Sequence, residues 1–155
     1  MTATLKDMLK PEYVYTDVAV EPHDKDTAIR KIASMCAAGN AEEEKMLRDT
    51  FFAREEMDST GCGEGVAIPH AKIKGLEEPK VEVFKFAQPL DWDAIDDKPV
   101  TLAIALVMPD GDKDNLHLQV ISRLARKLVD EDFVAALEKQ NTPEDLYGFL
   151  TDQLG

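Results

Sequence analysis

The chain has 155 residues, 44% of them apolar, with 31 acidic side chains against 18 basic ones and a formal charge of -13. That length and apolar content suit one domain, residues 1–155, with a real core, and they exclude a disordered chain. The charge repels nucleic acid and anionic membrane surfaces, so neither is expected as a partner, while a protein with a basic patch would be attracted.

Thr2–Lys10 carries charges and lacks the apolar centre of a signal peptide. Thr4–Leu9 reads as a short helical lead-in. Val14, Thr16, Val18 and Val20 alternate with Tyr15, Asp17 and Ala19, which predicts a strand. Glu21-Pro22-His23-Asp24 breaks it and leaves His23 as a solvated loop residue. Ile29, Ile32, Ala33 and Cys36 recur at helical spacing behind an Asp26 cap, and that helix ends at Gly39. Asn40 with Glu43 starts a second helix running to about Met57. Its apolar stripe carries Leu47 and Phe51 and then, at its end, Arg54. A snorkelling or ion-paired arginine fits that place, and so does one that leans over the next turn to hold an anion.

The next stretch is Gly61-Cys62-Gly63-Glu64-Gly65-Val66-Ala67-Ile68-Pro69-His70-Ala71. Glycine lets the backbone turn and pass close to a neighbour. Val66, Ile68 and His70 share one face of a strand, and Pro69 requires that strand to lie at an edge or to be ending. His70 then stands at a strand terminus beside a glycine-rich turn, where it is either a solvent-facing histidine or a reactive one.

Lys72–Lys80 is a charged turn. Val81–Ala87 is a strand with Val81 and Val83 on one face and Phe84 and Phe86 on the other. Gln88–Pro99 is a loop anchored by Trp92, the single tryptophan. Val100–Met108 is the longest apolar run, too short to span a bilayer, so no direct membrane insertion is expected. As a strand it is buried on both faces and central in its sheet. Asp114 or Asn115 caps a helix carrying Leu116, Val120, Ile121, Leu124, Ala125 and Leu128, with His117 facing inward in its first turn. Asp130 caps a short helix with Phe133, Val134 and Leu137. Thr142-Pro143 starts the last, which buries Leu146, Phe149 and Leu150. The expected fold is α/β: a single domain with a mixed, about five-stranded sheet and helices on both faces. Cys36 and Cys62, the only cysteines, form no CxxC, so reduced thiols and a cytoplasmic location are expected.

His70, His117, Arg54 and the glycine turn allow a short menu of chemistry. There is no nucleotide-binding GxxxxGK[ST]. His70, His117 and Cys62 as zinc ligands lack the close spacing of known sites, and a Cys62–His nucleophile pair is open. A histidine that accepts a phosphoryl group fits better. It needs a neutral imidazole nitrogen, available near pH 7 because the unperturbed pKa is about 6.5. It also needs cationic or N–H donors, which Arg54, His117 and a helix N-terminus can supply. It needs no metal and no cofactor if the donor is a phosphoprotein.

Ala53-Arg54-Glu55, then Ser59-Thr60-Gly61-x-Gly63-x-Gly65-x-Ala67-Ile68-Pro69-His70-Ala71, resembles the IIA domains of the fructose–mannitol class of the bacterial phosphoenolpyruvate:sugar phosphotransferase system. The resemblance continues through Asp91-Trp92, Asp96-x-Lys98-Pro99-Val100, Pro109, Leu116-His117-Leu118, Ile121-x-x-Leu124-Ala125, Leu128 and Asp130-x-x-Phe133, from about residue 4 to 150. It implies that His70 takes a phosphoryl group on Nε2 from the phosphocarrier HPr and gives it to a cysteine of a IIB domain during uptake of fructose or a related sugar. It implies that Arg54 and His117 flank the phosphohistidine and stabilise the transferring group. Glu55, Ser59 and Thr60 match the motif and are expected to shape the turn or cap the chain, and Cys62 to pack there. Against a charge of -13 the site has to be a local positive island, with Lys72 and Lys85 expected at its rim. A nitrogen-related branch of the same family keeps the histidine but regulates other proteins by binding them. Asp91-Trp92 and Asp96-x-Lys98-Pro99-Val100 look more like the sugar branch.

Overall fold

The computed structural model describes residues 5–57, 59–111 and 116–154, without the side chains of Leu5, Lys6, Cys62, Leu116 and His117. In chain order the elements are α1 (Leu5–Met8), β1 (Leu9–Val18), α2 (Lys25–Ala37), α3 (Ala41–Met57), β2 (Gly61–Gly63), β3 (Val66–Ala67), β4 (His70–Ile73), β5 (Lys80–Leu90), β6 (Val100–Pro109), α4 (Leu116–Leu128), α5 (Glu131–Glu138) and α6 (Pro143–Leu154). The sheet order is β1-β5-β6-β3-β2, with β4 also paired to β6. β1 is parallel to β5, β5 and β6 are antiparallel, and β3 and β4 both run parallel to β6.

β3 and β4 lie end to end along one side of β6, since Val66 stands opposite Leu102 and His70 opposite Leu106. The sheet therefore has five strand positions and is mixed, as expected. Pro69 sits at the break between the two pieces, where its missing N–H costs nothing to the ladder, and its carbonyl still accepts from Leu106 N–H at 2.9 Å.

β6 is buried along nearly its whole length because both faces are covered. One face, with Ala103, Ala105 and Val107, packs beside Phe84 and Phe86 under α2 and α3 through Ile29, Ile32, Leu47 and Phe51. The other, with Leu102, Ile104 and Leu106, packs under Leu124, Phe133, Leu146 and Leu150 of α4, α5 and α6. Each buried side chain of that size contributes on the order of 1.5–3 kcal/mol.

The caps of α3, α5 and α6 are the expected ones. Asn40 Oδ1 accepts from Glu43 N–H at 3.1 Å, Asp130 Oδ1 from Asp132 N–H at 2.9 Å, and Thr142 Oγ1 from Asp145 N–H at 3.1 Å. For α2 the cap is Asp24, which accepts from Thr27 N–H at 2.9 Å, and Asp26 lies inside the first turn. Both aspartates suit the positive end of a helix, but only Asp24 has a free amide at the right distance along the chain. The candidate caps Asp114 and Asn115 lie outside the described residues.

Two strands are longer than their alternation shows. β1 begins at Leu9, opposite Val81, and resumes regular pairing at Val14, opposite Val83. The polar residues in between bulge and hide the period. β5 runs on to Leu90, opposite Val100, after a similar break following Lys85 that accommodates Pro89.

The face of β5 that carries Phe84 and Phe86 also carries Glu82, only 1% exposed. Tyr15 donates its hydroxyl to Glu82 Oε1 at 3.0 Å. Oε2 has no hydrogen-bond partner among the described residues and faces Lys80 Nζ at 3.6 Å. Lys80 Nζ also donates to the Cys36 carbonyl at 2.6 Å. Burial pushes the Glu82 carboxyl up, against the pull of Cys36, Lys80 and Tyr15, and burial likewise raises the Cys36 thiol. An acid whose pKa is raised by folding contributes stability that is fully present below its unfolded pKa. That stability is lost as pH rises through the folded value. Thermal unfolding across pH 4–8 is expected to show the wild type losing ground to Glu82→Gln as the pH rises above about 5. Parallel pH profiles for the two proteins would overturn this.

Candidate phosphoryl-accepting site

α3 ends beside the glycine stretch, and local hydrogen bonds shape the chain between that helix and His70. Glu55 closes the turn after α3 by accepting from Thr60 N–H at 3.1 and 3.2 Å and from the Thr60 hydroxyl. Ser59 Oγ accepts from Gly61 N–H at 3.1 Å. β2 and β3 then form a hairpin whose turn residues, Glu64 and Gly65, have φ of 56° and 79°.

Asp96 holds that hairpin from outside. Its Oδ2 accepts from Glu64 N–H at 3.0 Å and its Oδ1 from Lys98 N–H at 3.1 Å. The bond from Glu64, with smaller help from Lys98, keeps the carboxyl below its usual range. Trp92 is fully buried, as expected, and with Ala94 it floors the hairpin under Gly61. A Cβ on Gly61 would stand 2.8 Å from both Ala94 Cα and Cβ. Because a backbone atom cannot swing aside, Gly61→Ala is expected to cost about 1–3 kcal/mol in chemical denaturation. A loss below about 0.5 kcal/mol would show that the hairpin shifts freely.

His70, the first residue of β4, is half-buried. Its two nitrogens have different partners. Nε2 is 3.0 Å from Arg54 Nε, and Nδ1 is 2.9 Å from the Ile68 carbonyl. A guanidinium N–H can only donate and a carbonyl can only accept. The network therefore assigns the proton to Nδ1 and the accepting lone pair to Nε2. The arginine at the end of the α3 stripe is brought to the histidine at the sheet edge, and it points at the ring nitrogen that carries no proton.

Lys72 is exposed, two residues on from His70 and on the same face of β4. Lys85 is not at the rim. Its Nζ donates to the Glu138 carbonyl at 2.8 Å, the Gln140 carbonyl at 2.7 Å and Asn141 Oδ1 at 2.9 Å, closing the end of α5. The carbonyl-rich end of a helix attracts a cation more strongly than a solvated rim does. The side chains of His117 and Cys62 lie outside the described residues; the backbone of His117 is in the first turn of α4. His23 is the solvated loop residue expected, paired with Glu21 Oε1 at 2.8 Å.

The motif marks Glu55 as one of several turn-shaping residues, whereas its side chain is the buried centre of the turn. Buried Glu82 is absent from the sequence expectations, and the alternation Glu82, Phe84, Phe86 is the signal that places its carboxyl on the inward face of β5.

The family model for "Phosphoenolpyruvate-dependent sugar phosphotransferase system, EIIA 2" matches residues 7–153. A nitrogen regulatory protein of Escherichia coli is 34% identical over 137 residues, 88% of this chain and 83% of that one. The fructose-specific EIIA component of a phosphotransferase system from Haloferax volcanii is 33% identical over 129 residues, 81% of this chain and 83% of that one. Among solved structures, nitrogen regulatory protein IIA-Ntr from Neisseria meningitidis superposes with a TM-score of 0.81 at 26% identity, covering 93% of this chain and 97% of its own.

Proposed function

We propose that this chain, which belongs to the EIIA 2 family of the phosphoenolpyruvate-dependent sugar phosphotransferase system, is a cytoplasmic phosphoryl carrier with His70 as the acceptor, Arg54 and His117 as its stabilising partners and no cofactor. The observation that carries this reading is the His70 tautomer, with Nδ1–H held by the Ile68 carbonyl and Nε2 facing Arg54.

In the reaction the Nε2 lone pair attacks the phosphorus of a donor phosphohistidine on HPr. An N–P bond forms on Nε2 as the donor N–P bond breaks, and the donor imidazole leaves with the electron pair. The Nδ1 proton stays hydrogen-bonded to the Ile68 carbonyl, which stabilises the positive charge that builds on the ring. Arg54 gives up Nε2 and turns its donors on the phosphoryl oxygens. The reverse geometry serves delivery to the cysteine thiolate of a IIB domain.

A second reading concerns what the phosphoryl group is for. The Escherichia coli and Neisseria meningitidis relatives are named as nitrogen regulatory proteins, which favours an output by state-dependent binding to other proteins. The fructose-specific relative favours transport. The chemistry at His70 is common to both.

The test is incubation with phosphoenolpyruvate, enzyme I and HPr, followed by intact-mass and acid-lability measurement. Acid-labile phosphate on the chain is expected, and no transfer from any HPr would sink the carrier reading. Chase with IIB domains, against capture of partners by phosphorylated and unphosphorylated protein, separates transport from regulation.

Among the described residues no helix is long and apolar enough to cross a membrane.

A further inference from the structure

Arg54 and Glu55 are consecutive on α3, so their side chains leave the helix about 100° apart. Arg54 reaches out to His70. Glu55 turns inward, with 4% of its side chain exposed. Its carboxylate takes the Thr60 N–H and hydroxyl, and its Oε2 also takes Lys25 Nζ at 3.4 Å. Thr60 is itself buried, and its carbonyl accepts from Ile68 N–H at 2.9 Å. The Ile68 carbonyl accepts from His70 Nδ1 at 2.9 Å, and His70 Nε2 accepts from Arg54 Nε at 3.0 Å. The bonds close a ring: Glu55, Thr60, Ile68, His70, Arg54, and back to Glu55 through one peptide unit.

We propose that this ring makes Glu55 a positioning residue, which fixes the tautomer and ring orientation of His70 through Thr60 and Ile68; its catalytic consequence rests on the carrier reading above. An ionised carboxylate only accepts. It therefore draws both the N–H and the hydroxyl of Thr60 inward and leaves the Thr60 carbonyl facing Ile68. The Ile68 carbonyl in turn is the acceptor that keeps the proton on Nδ1. One buried charge thus holds both sides of the Arg54–His70 contact, since it also anchors the helix turn from which Arg54 extends. A glutamine in its place would present an NH₂ group, which would have to face the Lys25 ammonium or the Thr60 donors.

A residue that only closed the α3 turn would affect stability and leave the imidazole alone. The test therefore reads the imidazole directly. Histidine-selective ¹⁵N NMR of the unphosphorylated full chain is recorded at neutral pH for wild type, Glu55→Gln and Thr60→Val, beside single-turnover transfer from phospho-HPr. In the wild type the His70 Nε2 resonance is expected in the pyridine-type range. In Glu55→Gln it is expected to move toward the tautomer average, with the transfer rate down about tenfold or more, because small misplacements of reacting groups are costly. Thr60→Val loses only the hydroxyl bond and is expected to move both readouts the same way by a smaller amount, about threefold in rate. If Glu55→Gln does not fold, Thr60→Val decides alone. A wild-type Nε2 resonance in the folded variants would overturn the proposal even if their melting temperatures fell. Failure of the wild type itself to accept phosphoryl would overturn the carrier reading, and the NMR shifts would still decide the role of Glu55.

Discussion

Replacing His70 by alanine is expected to reduce acid-labile phosphorylation to the level of a control lacking the protein. The loss is chemical and not structural. His70 is half-buried at the end of an edge strand, and its ring makes hydrogen bonds to Arg54 and to the Ile68 carbonyl. Alanine is compatible with the start of β4, and at such a site the stability change is about 1 kcal/mol or less. What alanine removes is the nitrogen lone pair, and without it no N–P bond can form at this position. Intact-mass measurement after incubation with the phosphoryl-donor chain checks the result, and a circular dichroism melt confirms the fold. Acid-labile phosphate persisting on His70→Ala would assign the acceptor to another residue. The same variant serves the regulatory reading, because partner binding by His70→Ala is expected to stop responding to phosphoenolpyruvate.

The sheet was legible because its central strand is unmistakable. Val100–Met108 has no polar residue except Thr101, and a run of that kind is stable only between two covered faces. The ends of β1 and β5 were not legible, because their bulges add residues that break the period of two. The placement of His70 was legible from Pro69, which restricts the strand to an edge. The Arg54 contact was legible only as a helix stripe that ends in a cation. Nothing in the spacing of Arg54 and His70 says that one will reach the other, since that depends on how the α3 turn is closed. Glu55 closes it, and a glutamate after an arginine at a helix end ordinarily reads as solvated surface. The Lys85 expectation failed for a related reason. A strand lysine can serve a site or a helix terminus, and the position of the α5 terminus is a tertiary fact.

Arg54→Met is expected to slow single-turnover phosphoryl transfer by about 30- to 150-fold, and Arg54→Lys by a smaller factor, about three- to thirtyfold. Two effects oppose each other here. In the resting protein Arg54 Nε donates to His70 Nε2, the very lone pair that must attack. Removing it takes one competing bond from the nucleophile, a change worth on the order of 1 kcal/mol, the net value of one hydrogen bond. During transfer, however, the phosphoryl oxygens carry charge close to Nε2, and a guanidinium aimed there stabilises them by roughly 3–4 kcal/mol. The second term wins by roughly 2–3 kcal/mol, so the variant is slower despite the loss of the competing bond. Lysine restores the charge but not the planar fork that lets arginine meet two phosphoryl oxygens at once, so it recovers only part of the rate. The ordering of wild type, lysine and methionine is the diagnostic feature. A methionine variant within about threefold of wild type would mean that Arg54 only orients the resting imidazole. Stabilisation of the transferring group would then have to come from elsewhere, with Lys72 and His117 as the first residues to replace.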